Sequence, residues 1–199
     1  GGVRVPRVRR PRSLAALVCM LGACGVQPSA DRFDTWRAAH HPEVEAYEAF
    51  LHEEGVAGIV PLRDLLRSGR RWKHCGTDEF IVPPRGAWAA MPATLRVIAG
   101  LRRAGAIEAP VVASSFRTRV FNRCEGGSAK SRHLANNALD FDLGGDAGQR
   151  LCDWWRAHGK THAVGLGFYT PTRIHIDTAG FRTWGSDHTR KTSRCVVDG

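Results

Sequence analysis

Two short alternating segments constrain this chain more than anything else in it. Ala138–Leu143 (ALDFDL) and Arg173–Asp177 (RIHID) alternate apolar and polar side chains. Strand side chains point to opposite faces with a period of two. Asp140 and Asp142 therefore share one strand face, and His175 and Asp177 share another. Upstream of the first strand lies Ser131-Arg132-His133, with Asn136-Asn137 between His133 and Asp140. A His at a loop edge, an Asp on the next strand and a His on a further strand offer three N/O ligands. A catalytic zinc takes such a set and keeps a fourth position for water. Asn tolerates a left-handed turn, so the Asn136-Asn137 pair suits the crossing into the strand. Taken singly, each residue reads equally as a hydrogen-bonded core group or a solvated face; the metal reading comes from their occurring together.

The other segments suggest an α+β chain, with helices early and strands late, an antiparallel sheet and flanking helices. Helical spacing and Pro/Gly boundaries predict helices over 42–54, 60–67, 92–103 and 146–158. Strands are expected at 111–115, 138–143, 164–169 and 173–177, and loops at 75–88 and 116–130. Residues 33–90 read as a helical region packing on a domain spanning 91–199.

The N-terminus reads as an export signal. Residues 1–23 hold five arginines and no acid, so without them the formal charge falls from +10 to +5. That modest remainder, with no basic-aromatic module, argues against a nucleic-acid partner. Ser13–Gly22 is apolar but too short to span a bilayer, which needs about 20 residues. Leu21-Gly22-Ala23-Cys24 resembles a bacterial lipobox, which implies lipid attachment at Cys24 and a tether over 24–32. A plain secretory signal or a buried helix are the other readings. Cys75, Cys124, Cys152 and Cys195 allow two disulfides in three connectivities, which fits an oxidising periplasm.

The motifs as a set resemble a known family. Ser131-x-His133-x6-Asp140 followed by His175-x-Asp177 is similar to the zinc D-Ala-D-Ala carboxypeptidase and murein endopeptidase family, whose fold is shared with the Hedgehog signalling domain. Ser114-Ser115-Phe116-Arg117-Thr118, Asn122, Gly126-Gly127, Gly165-Leu166-Gly167-Phe168-Tyr169 and Arg182-Thr183-Trp184 extend the likeness over about 111–185. The resemblance implies zinc on His133, Asp140 and His175. It implies that Arg117 binds the scissile carbonyl or its oxyanion, with a structural ion pair as the other reading. Ser115 and Ser131 would position substrate. Many members carry an acid three residues before the second zinc His; here that residue is Thr172. Asp177 is then the candidate for general base or for orienting one, with a structural hydrogen bond as its alternative. The implied function is a monomeric zinc peptidase acting on peptidoglycan peptides in the periplasm or on the outer membrane, touching the membrane only through its lipid. Carboxypeptidase, D,D-endopeptidase and L,D-endopeptidase all remain open, as does a non-catalytic wall- or partner-binding module that keeps the fold.

Overall fold

The computed structural model describes residues 1–2, 29–108 and 110–197, so residues 3–23 of the signal segment and Cys24 lie outside the described residues. Five strands form one sheet: β1 (Val111–Ser114), β2 (Ala138–Asp142), β3 (Gly165–Phe168), β4 (Arg173–Asp177) and β5 (Arg182–Trp184), in the order β1-β2-β4-β3-β5. The first three pairings in that order are antiparallel. β5 is not among the expected strands, and it pairs parallel to β3. The sheet is therefore mixed at one edge. Three residues with one buried side chain carry too little alternation to announce a strand.

The alternation in β2 and β4 works as expected. Leu139, Phe141, Ile174 and Ile176 are all fully buried in the core. Helix α4 (Met91–Arg103) stands against β2, and α2 (His41–Glu53) and α6 (Gln149–His158) add buried residues to the same core. Pro42 and Pro92 occupy the first turns of α2 and α4, where a missing N–H costs nothing. Leu95, Ile98 and Leu101 of α4 are buried at helical spacing. One hydrophobic cluster runs from Phe33 through Ile98 to Cys195, so the N-terminal helices share their core with the sheet.

Three local expectations need correction. Residues 29–32 belong to a helix, α1 (Ser29–Ala39), rather than to a tether. Phe33 and Trp36, further along α1, pack on Phe80 and anchor that helix to the core. The expected helix at 60–67 shrinks to α3 (Leu62–Leu65), because Arg67 leaves it to bridge Phe80. The expected loop at 116–130 contains α5 (Arg119–Cys124), capped by the Thr118 hydroxyl accepting from the Phe121 N–H at 3.2 Å. A six-residue helix burying only Phe121 and Asn122 is too short to show a period. Among the described residues no helix is long and apolar enough to cross a membrane.

Of the three possible disulfide connectivities, the fold selects Cys75–Cys124 and Cys152–Cys195. The first ties the loop between Arg67 and Phe80 to α5, and the second ties the C-terminal α7 (Arg194–Val197) to α6. They close loops with sequence separations of 49 and 43 residues. The chain-entropy account puts each at about 4 kcal/mol. The oxidised, denatured protein should therefore show none of these four thiols to titration. Replacing Cys152 and Cys195 together by Ala should lower the unfolding free energy by roughly 2–4 kcal/mol in urea titrations.

Candidate metal centre

Two rungs across the sheet build the site. In the first, Ser114 of β1 pairs with Asp140, Asp140 with His175, His175 with Gly167, and Gly167 with Trp184. In the second, Ala138 pairs with Asp177, Asp177 with Gly165, and Gly165 with Arg182. The glycines of β3 leave gaps in both rungs. A Cβ on Gly165 would lie 2.6 Å from both Asp177 Oδ2 and Arg182 Nη1, and one on Gly167 would run into the Trp184 indole. Those gaps let Arg182 and Trp184 reach across β3 to Asp177 and His175.

His133 enters from a single 3-10 turn, Arg132–Ala135, that ends at Asn136. Asn136 has φ 54°, the left-handed conformation expected for it, and its amide donates to the Ala87 carbonyl at 3.1 Å. That turn carries the chain from His133 into β2 and so to Asp140. His133 Nδ1 lies 2.6 Å from the Ser115 carbonyl. A carbonyl only accepts, so Nδ1 bears the proton and Nε2 carries a lone pair. Nε2 is buried without a hydrogen-bond partner, 3.1 Å from Asp140 Oδ1. His175 Nδ1 lies 2.8 Å from the same oxygen. One donor atom from each of His133, Asp140 and His175 falls within 4.8 Å of the others, and all three residues are buried. Two ligand atoms on a tetrahedral zinc are about 3.3 Å apart for bonds near 2 Å, so the group fits that ion.

The charges are arranged to suit a cation. Burial lowers the His133 pKa and keeps the ring neutral. Burial opposes ionisation of Asp140, but the charges and hydrogen bonds of His133 and His175 outweigh it, and its carboxyl is held well below the usual range. Burial also opposes charging of His175, yet hydrogen bonds to Asp140 and Asp177 raise its pKa. Such a neutral ring, ionised carboxylate and doubly anchored imidazole are the protonation states a divalent ion demands or can displace.

The surroundings sort the remaining expected residues. Asp177 is fully buried and does not line the cleft; its Oδ2 accepts from His175 Nε2 at 2.9 Å and from Arg182 Nη2 at 2.6 Å. That contact orients His175, as carboxylates do behind metal-binding imidazoles. A general base needs to reach the cleft, which Asp177 does not. Arg117 donates through Nη2 to Asp140 Oδ2 at 2.8 Å and through Nε to Ser114 Oγ at 2.7 Å, and it lines the cleft. The ion-pair reading of Arg117 is thus realised together with access to the cleft. Ser131 also lines the cleft. Ser115 does not: it is fully buried, its Oγ has no partner, and it meets the site only through its carbonyl. Thr172 is exposed in the β3–β4 turn, where its backbone N–H donates to the Thr170 hydroxyl at 3.3 Å.

The cleft over the centre holds about 920 Å³. Arg117, Lys130, Arg132, Arg173 and Arg182 line it against only two acids, Glu125 and Asp140, so it favours an anionic ligand. Residues 126–132 form one rim, with Tyr169, Trp184 and His188 among the other lining residues. Ser114, Tyr169, Arg182 and Trp184 received no role from their residue types. Their importance comes from strand pairing; in the sequence they stood out only as parts of the motifs that carry the family resemblance.

A family model described as Peptidase M15 matches residues 71–177, just over half of the chain and including all three metal-site residues. The chain belongs to this family of zinc-dependent metallopeptidases. No curated protein and no solved structure matches it.

Two outcomes test the centre. The purified protein should bind about one zinc per chain by elemental analysis, and His133→Ala or His175→Ala should reduce this to a small fraction, since two ligands make a weak site. Wild-type zinc in both variants would refute the ligand set. In the metal-free protein, burial disfavours the Asp177 carboxylate, but bonds from His175 and Arg182 bring its pKa down to about 2. Its folded value lies below its unfolded one, so the stabilisation is complete above about pH 5 and is lost as pH falls through about 2. It amounts to roughly 2 kcal/mol. Urea midpoints should drop over that acid range, and Asp177→Asn should flatten the drop.

Proposed function

We propose that this protein is a zinc peptidase that cleaves D-amino-acid-containing peptides of peptidoglycan in the bacterial envelope. The observation that carries the reading is the orphaned His133 Nε2, facing Asp140 and His175 at the base of a basic cleft. Stem peptides of peptidoglycan bear several carboxylates, and the cationic lining suits them. Zinc held by the three residues would polarise the scissile carbonyl and acidify an attacking water.

The protein's own side chains do the rest. Asp177, fixed by Arg182 and the Ala179 N–H, holds His175 in one orientation. Arg117 is locked by Ser114 and Asp140, so its guanidinium meets developing negative charge without reorganising. Ser131, between Lys130 and Arg132 on the rim, positions the peptide. Four-residue spacing separates Cys24 from the start of α1 at Ser29, which suits a short lipid tether to the outer membrane on the periplasmic side.

One observation favours a second reading, a wall-binding module without turnover. Thr172 stands where many relatives have an acid, and Asp177 is shut away behind His175. Digestion of purified sacculi, with products identified by mass, decides between the two and names the bond cut. New muropeptides that depend on zinc support the peptidase; binding to sacculi without new products supports the module. Arg117→Ala should retain zinc and lose on the order of a hundredfold in kcat. Cys24→Ser should abolish fatty-acid labelling and release the protein from membranes; unchanged labelling would remove the lipoprotein reading.

A further inference from the structure

Glu125, His188 and Tyr169 are among the cleft residues that take no part in the chemistry above. Glu125 stands on the rim, its Oε1 3.9 Å from Arg71 Nε. His188 is exposed, and the ring contact it makes is with Tyr169. Tyr169 reaches the centre itself, with its hydroxyl 3.5 Å from His175 Nδ1.

The tyrosine is held firmly. It follows β3 directly, and its N–H donates to the Arg173 carbonyl at 3.0 Å across the hairpin. Its ring stands edge-on to His175, 6.3 Å between centroids at 88°, and edge-on to His188 at 6.3 Å and 74°. Two imidazoles thus flank the ring edge-on, and the ring in turn places the hydroxyl oxygen beside His175. A phenol offers one O–H donor. Without substrate the hydroxyl bonds to the Asp140 carboxylate, whose Oδ1 lies 2.8 Å from His175 Nδ1 and whose Oδ2 accepts from Arg117. His175 Nδ1, once it carries a metal ion, has no lone pair to offer. A metal ion on Asp140 would draw on that carboxylate and leave the O–H to an acceptor in the cleft.

Sheet order sets the direction of approach. Arg117 follows β1 and Tyr169 follows β3, while Asp140 and His175 lie on the two strands between them. The two donors therefore reach the centre from different sides. We propose that Tyr169 is a catalytic residue whose hydroxyl donates a hydrogen bond to the scissile carbonyl oxygen of a peptide lying over His133, Asp140 and His175. The donation strengthens as negative charge grows on that oxygen, so it lowers the barrier more than it tightens binding. No proton leaves the phenol. The assignment rests on the peptidase reading.

The test is Tyr169→Phe, which keeps the ring and its two edge-on contacts and removes only the hydroxyl. Zinc content, kcat and KM on a muropeptide, and affinity for a phosphinate dipeptide that mimics the tetrahedral state are measured for both proteins, with melting temperatures as a check on folding. The expected result is a fall in kcat on the order of a hundredfold. KM should stay within about twofold, zinc should stay at wild-type content, and phosphinate affinity should weaken by a factor similar to that in kcat. An unchanged kcat overturns the proposal. A loss of activity that tracks a loss of zinc also overturns it, because Tyr169 would then only position Asp140 or His175. If the wild type cleaves nothing, the peptidase reading fails by itself, and phosphinate binding still judges Tyr169: weaker binding by Tyr169→Phe upholds the donor. Equal binding by the two proteins, or none by the wild type, overturns it.

Discussion

The pairing of Asp140 with His175 across β2 and β4 is the contact on which the rest of the site depends. It brings a carboxylate and an imidazole to 2.8 Å on one face while Leu139, Phe141, Ile174 and Ile176 fill the other. A one-residue slip of either strand would turn its side chains over and send its ionisable groups into the core. The hydrophobic face therefore sets the register, and the register sets the ligand spacing. Burial of four large apolar side chains, each worth about 1.5–3 kcal/mol, enforces a geometry that the ligands could not hold alone.

Once that pair is placed, its neighbours follow from the sheet. His133 is brought up by the left-handed Asn136, and its free nitrogen lone pair is fixed by the Ser115 carbonyl behind it. The segment carrying Ser115 is itself pinned, since the Ser115 N–H donates to the Arg67 carbonyl at 2.9 Å. Arg67 in turn bridges Phe80, on which α1 packs. The N-terminal helices thus support the centre through the core without touching the cleft. The Cys75–Cys124 bridge acts nearer to it, holding α5 next to the rim at Glu125 and Gly126.

Charge pairing at the centre runs in layers. Asp140 faces two imidazoles and Arg117, while Asp177 faces His175 and Arg182. Each buried carboxylate is matched by a cation or a hydrogen-bond donor, as burial requires. Asp177 completes the orientation of His175 and is spent in doing so. In the proposed peptidase reaction the groups left to act are those that line the cleft, Arg117 and Tyr169 among them.

Much of this could be read in the chain itself. Alternation in ALDFDL and RIHID was enough to place Asp140 and His175 on strand faces, because a period of two is a local property of the backbone. Asn136 was legible as a turn residue for the same reason, and Pro92 with Leu95, Ile98 and Leu101 as a helix. The His–Asp–His set and its family could be recognised by spacing, which pairs strands only implicitly. Partners distant in sequence could not be seen: which cysteines join, that Arg182 and Trp184 form a parallel edge strand, and that Asp177 lies behind His175 and away from the cleft. These depend on which strand lies beside which and on the room that Gly165 and Gly167 leave. Local sequence determines what each segment offers to a neighbour; only packing of the whole sheet decides which neighbour accepts it.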